Sequence, residues 1–162
     1  MSEISELLER FRRGPELLAM VLTGVFGEEE DFSPGPGKWS IRQLVAHLAD
    51  AELVCAQRMR QMIAEDHPTL MAFDQDAWAK NLDYARRKTS ESIETFRRLR
   101  AENYELIKDL PDPVFERTGN HSERGPITLQ RHLETMAAHA EAHARQIRDV
   151  RDAYKKQRQM QA

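Results

Sequence analysis

Apolar positions recur at three- and four-residue intervals in four stretches of the chain, the period of helices with one buried face. The first runs from about Ile4 to Phe26, with Leu7, Leu8, Phe11, Leu17, Leu18, Val21, Leu22 and Val25 on one stripe. Gly14-Pro15 interrupts it, and because proline fits a first turn far better than a helix interior, a break or kink is expected there. The second stretch has the best-marked start. Ser40 with Gln43 three residues on forms a capping box, Trp39 and Leu44 can staple across it, and Ser33-Pro34-Gly35-Pro36-Gly37 ahead of it cannot be helical. Its stripe passes through Ile41, Leu44, Leu48, Ala51, Cys55, Met59 and Met62, and the helix should end near Ala64.

A long connection from Glu65 to about Arg87 follows, with Pro68, the aromatics Phe73, Trp78 and Tyr84, and one short helix expected around Asp76–Asn81. The third helix is expected from Thr89 to Leu110, buried through Ile93, Phe96, Leu99, Asn103, Leu106 and Ile107, and stopped by Pro111-Asp112-Pro113. Glu116 to Pro126 reads as loop, and no stretch shows the strict alternation of a half-buried strand. The fourth helix starts near Thr128 and continues to about Tyr154, fraying into a polar tail.

Four such rods, each about 30 Å long, bury one core as an all-α four-helix bundle. With no internal repeat and no separating linker, residues 1–162 are expected to form one domain, polar after about 154. The connection between helices 2 and 3 is long enough to run the length of the bundle. That makes an up-down-down-up order available, with helices 2 and 3 parallel, whereas simple alternation would not need so much chain.

Composition removes several classes. With 40% hydrophobic residues the chain is too apolar for disorder, yet no window approaches twenty uninterrupted apolar residues, so no membrane span is expected. A net charge of −3 argues against nucleic acid as the partner. One cysteine, Cys55, leaves no internal disulfide and no cysteine-built metal cluster. The acidic start Met1-Ser2-Glu3 lacks the pattern of an export signal, so a cytoplasmic location is expected.

The fourth helix carries the anomaly. His139 and His143 fall on its inward stripe one turn apart, between Met136 and Ile147, among Ala137, Ala138, Ala140, Ala142 and Ala144, which leave room beside the imidazoles. Histidines at i and i+4 can both reach one metal ion, although the same spacing suits two half-buried histidines bonded to carbonyls. His47 shifts the balance. It lies seven residues after Ser40, about 10 Å along the second helix, and His143 is equally far from Val150 on the fourth. In antiparallel helices the three imidazoles converge at one level. Three neutral nitrogens with positions left open is a catalytic coordination pattern.

With these residues in place the chain resembles the DinB-like superfamily and, within it, the YfiT-like metal-dependent hydrolases. The resemblance rests on Gly37-Lys38-Trp39-Ser40-Ile41-Arg42-Gln43 leading to His47-Leu48-Ala49-Asp50, on Glu65-Asp66-His67-Pro68 and on Asp74-Gln75-Asp76-Ala77-Trp78. It continues through His121-Ser122-Glu123 to His139-Ala140-Glu141-Ala142-His143 and Ile147. It implies a four-helix bundle with a left-handed crossover between helices 2 and 3, a metal site at His47, His139 and His143, and a homodimer. Related proteins include transferases that attach bacillithiol or mycothiol to electrophiles. The chain departs from the pattern around the pair, where alanines and Gln146 replace histidines and aromatics, so the substrate is left open.

Other candidates weigh less. Asp50, one turn from His47, either orients a ligand imidazole or water, or faces solvent; Arg58 either holds an anionic substrate or pairs with a glutamate. His132 is about 10 Å from His139 along the axis, too far to share its ion, and reads as core or rim. His67 and His121 fall in loops, Cys55 reads as a buried apolar position, and the basic end of helix 4 as a solvated terminus.

The expected function is an enzyme using one divalent cation (zinc, nickel or iron) on His47, His139 and His143. It would activate water or a low-molecular-weight thiol against a small-molecule electrophile. The contrasting readings are a non-catalytic metal- or ligand-binding bundle, and an interaction protein whose histidines are ordinary core groups.

Overall fold

The structure, a computed structural model, describes residues 2–162. Its long elements are α1 (Glu3–Arg12), α2 (Gly14–Leu22), α4 (Ile41–Ala64), α6 (Thr89–Ile107) and α7 (Leu129–Gln161), with the short helices α3 (Glu28–Asp31) and α5 (Gln75–Asn81) between them. Three short strands, β1 (Thr69–Leu70), β2 (Thr118–His121) and β3 (Gly125–Thr128), lie at one end. The four rods of the bundle are α1 with α2, α4, α6 and α7.

Local chemistry sets the boundaries. The break at Gly14-Pro15 separates α1 from α2, with Pro15 in the first turn of α2. Gly14 is there for space, because a Cβ would lie 2.6 Å from Arg100 Nη1. Ser40 caps α4 in the expected box, its Oγ accepting from Gln43 N at 3.3 Å while Gln43 Oε1 accepts from Ser40 N at 2.9 Å.

Two layers of core give the topology. One gathers Leu18, Val21, Ile41, Leu44, Leu48, Phe96, Ala144, Ile147 and Val150; the other gathers Leu7, Phe11, Met59, Met62, Ile107, Leu129 and Leu133. Along α4 the early residues thus meet the start of α6 and the late ones its end, so α4 and α6 run parallel, while α1–α2 and α7 run the other way. This is the up-down-down-up order. The crossover between α4 and α6 starts where Arg117 Nε donates to the Met62 carbonyl at 2.7 Å. It returns to the opposite end, where Arg42 Nη1 donates to the Arg87 carbonyl at 3.0 Å.

Between the layers sits an ion pair. Arg100 and Glu52 are both essentially inaccessible; Nε and Nη2 of Arg100 donate to the two Glu52 oxygens at 2.9 and 2.8 Å, and Nη1 donates to the Phe11 carbonyl. Asn103 Nδ2 adds a bond to Glu52, and Phe11 and Phe96 cover the guanidinium at 4.0 and 4.9 Å. A buried bidentate pair satisfied in this way fixes the relative register of α4 and α6.

Several expectations are corrected. The segment read as loop forms β2 and β3, paired antiparallel, with β1 alongside β2 in parallel register (Leu70 opposite His121). Strands of two to four residues containing Gly119, Gly125 and Pro126 are too short to show alternation and look like turns. The third helix stops at Ile107 rather than Leu110, and Leu106 is exposed because the inward row runs Phe96, Arg100, Asn103, Ile107. The last helix continues past Tyr154 to Gln161, its Lys, Arg and Gln residues being good helix formers. Of the alanines of α7, Ala138 and Ala142 face solvent, and Ala140 lies beneath Gly14, where small residues let α2 approach. No described helix is long and apolar enough to cross a membrane.

Candidate metal centre

α4 and α7, antiparallel neighbours, bring His47, His139 and His143 together. His139 Nε2 lies 2.9 Å from His47 Nε2 and 3.0 Å from His143 Nε2, and one nitrogen from each ring falls within 4.8 Å of the others. The rings stand edge to face, with centroids 4.4 to 5.1 Å apart. His47 is buried; His139 and His143 are half-buried.

Hydrogen bonding alone does not account for this convergence. A neutral imidazole Nε2 presents either one proton or one lone pair, so His139 Nε2 cannot make two full hydrogen bonds to its two neighbours. A cation accepts all three lone pairs. Ligand nitrogens about 2.0–2.1 Å from a tetrahedral zinc are about 3.3 Å apart, close to the spacing found. The donor set therefore fits a divalent cation.

The surroundings keep the three rings neutral, as ligands must be. Burial, with His143 nearby, lowers the His47 pKa to about 4 against a small opposing pull from the Asp50 carboxylate. Burial lowers His139 to about 3, helped by His143, His47 and Arg100. Burial also lowers His143, opposed by its bond to Gln146. Gln146 Oε1 accepts from His143 Nδ1 at 2.8 Å, which leaves the Nε2 lone pair facing the other histidines. Nδ1 of His47 has no partner among the described residues.

The wall of the site is not legible in the sequence. Trp39 packs on His47 with centroids 5.2 Å apart, and Tyr84 stands edge-on to Trp39 at 6.4 Å. Asp50 does not bond to His47: its oxygens accept from Tyr84 Oη at 2.7 Å and from Arg87 Nη1 at 2.8 Å, so it anchors the end of the crossover beside the site. The spacing of Asp50 from His47 on α4 placed it nearby, but the partners come from a segment distant in sequence. Arg58 has no glutamate; its Nη2 donates to the Met71 carbonyl. His132, Cys55 and His121 are buried away from the trio, and His67 is exposed, bonded through Nδ1 to Thr118 Oγ1 at 2.9 Å.

Comparison with known proteins agrees with the fold. The sequence profile of the DinB superfamily matches residues 10–147. The chain belongs to the DinB superfamily.

Among its relatives, OB0782 of Oceanobacillus iheyensis, provisionally named a metal-dependent hydrolase, is 28% identical over 144 residues, 89% of this chain and 83% of that one. GK0616 of Geobacillus kaustophilus, named in the same way, is 27% identical over 150 residues, 92% and 84% of the two chains. A solved structure of YfiT from Bacillus subtilis, described as "a probable metal-dependent hydrolase with an unusual four-helix bundle topology", superposes with a TM-score of 0.85 at 24% identity. The match covers 93% of this chain and 87% of that one.

Proposed function

We propose that this DinB-superfamily protein is a metal-dependent hydrolase whose single divalent cation is held by His47, His139 and His143. The observation that carries the reading is the meeting of three Nε2 atoms from two antiparallel helices at 2.9 and 3.0 Å. The provisional hydrolase names of the relatives support it. A divalent ion at such a site lowers the pKa of a water or thiol, so that a nucleophile is available at neutral pH.

The chain's own residues prepare that chemistry. Burial holds the three imidazoles neutral, Gln146 selects the His143 tautomer, and Trp39 fixes the His47 ring from the side. Tyr84, tied to Asp50, supports Trp39 and keeps its hydroxyl protonated: burial and the Asp50 carboxylate raise its pKa well above the phenol range. The same ligand set serves transfer of a low-molecular-weight thiol. A panel of esters, amides and electrophiles, assayed with zinc-, nickel- and iron-loaded protein with and without bacillithiol or glutathione, tests the assignment. Metal-dependent turnover without thiol, lost in His139→Ala, is expected. Turnover only with thiol would replace hydrolysis by transfer, and none under any loading would contradict an enzymatic role.

A further inference from the structure

Two buried guanidinium groups in this protein are treated very differently. Arg100 is matched oxygen for nitrogen by Glu52. Arg58, only 7% exposed, has no carboxylate: Nη2 donates to the Met71 carbonyl, and its Nε–H is buried without a partner among the described residues. The charged or ionisable neighbours that act on it are Arg124 and the Cys55 thiol. A guanidinium cannot shed its proton, and buried charges are otherwise paired.

The residues around Arg58 deepen the imbalance. His132 from α7 is 3% exposed, interacts with the Cys55 backbone, and leaves its buried Nε2 without a partner. His121, at the end of β2, is 4% exposed; its ring accepts from the backbone N–H groups of Glu123 and Arg124 and lies 3.4 Å from Arg124 Nη2. Arg124 is exposed, so this group of residues has an outer member. Glu123, the carboxylate that acts on His121, is exposed. Three elements (α4, α7 and the β2–β3 turn) therefore place two cations and two imidazoles within electrostatic reach of one another, with two orphaned buried nitrogens and, among the described residues, no salt bridge to Arg58.

We propose that Arg58, His132, His121 and Arg124 form an oxyanion-binding subsite that receives a carboxylate or phosphate group of the substrate. This rests on the reading of the three histidines as the reactive centre. His132 precedes His139 by seven residues of α7, and Arg58 follows His47 by eleven of α4. The subsite thus lies about 10 to 16 Å from the centre along the bundle axis, the reach of a small extended molecule. The oxyanion accepts from Arg58 Nε–H, Arg124 assists at the solvent side, and the anion favours a proton on His132 Nε2.

The test is a titration of metal-free protein with sodium acetate and, separately, inorganic phosphate at constant ionic strength. It follows the His132 ring signals of a histidine-labelled sample by NMR. A saturable shift toward the protonated imidazole is expected with one of the two anions, and which one distinguishes carboxylate from phosphate recognition. Arg58→Met should weaken that binding at least about tenfold, the loss of a charge-assisted hydrogen bond. Arg124→Ser, an exposed change that leaves the core intact should Arg58→Met fail to fold, should weaken it several-fold. His139→Ala should leave it unchanged, so loss of the metal reading and loss of the subsite are separate results. No saturable shift with either anion, or a shift that either arginine variant leaves undiminished, would overturn the proposal.

Discussion

His132 carries the clearest titration among histidines away from the metal centre. Burial, reinforced by Arg58, lowers its pKa to about 4 from the ordinary 6.5, against an opposing pull from the Cys55 backbone. Above pH 6.5 it is neutral folded or unfolded and costs nothing. As pH falls from 6.5 toward about 4 the unfolded chain takes up a proton that the folded one refuses, so stability is progressively lost, by up to about 3 kcal/mol. His47 and His139 add losses of the same sign in the same window. Chemical denaturation of metal-free protein across pH 4 to 7 should therefore show stability falling with acid. His132→Gln should flatten the slope by about one proton, and an unaltered slope would contradict the account. Cys55 belongs to the same scale. Burial, with Glu52 nearby, pushes its thiol pKa well up, so a thiol reagent should label it only as the protein unfolds. Rapid labelling under native conditions would contradict that.

At the scale of elements, the parallel pairing of α4 with α6 depends on Arg100 and Glu52. Glu52→Gln leaves a buried guanidinium without its charge partner and should cost about 3–5 kcal/mol, read as a lowered denaturation midpoint. A change within about 1 kcal/mol would mean that the pair does not set the register. Gly14→Ala gives a sharper test of sign. Helix propensity favours alanine, though at the first residue of α2 by less than the ~1 kcal/mol of a helix interior. The new Cβ, however, would meet Arg100 Nη1, which is already held by Phe11. Net destabilisation is expected, and stabilisation would show that Arg100 yields freely. Much of the element plan was legible in the sequence. The capping box, the break before Pro15, the short helix near Trp78 and the seam of α7 are all local signals. The small sheet was not, because its pairing joins residue 69 to residue 120 and its strands carry glycine and proline. Arg100 was also hidden: a long cation on a helix reads as surface until a carboxylate 48 positions earlier is found opposite it.

At the scale of the whole molecule, topology sets the chemistry. The long crossover lets α4 and α6 run parallel and leaves α4 and α7 antiparallel, so a histidine early in one helix stands level with a pair midway along the other. The trio was legible because helical rise is regular enough to compare heights on neighbouring rods. Its supports, Trp39, Tyr84 and Gln146, were not, since their roles depend on side-chain contacts that spacing does not encode. The most direct measurement is the metal content of untagged protein after exhaustive dialysis, by elemental mass spectrometry, for the wild type and for His47→Ala and His139→Ala/His143→Ala. About one divalent ion per chain is expected in the wild type and near none in either variant, with helical content by circular dichroism retained. A wild type that holds no divalent ion when one is supplied, or variants that hold as much as the wild type, would contradict that expectation.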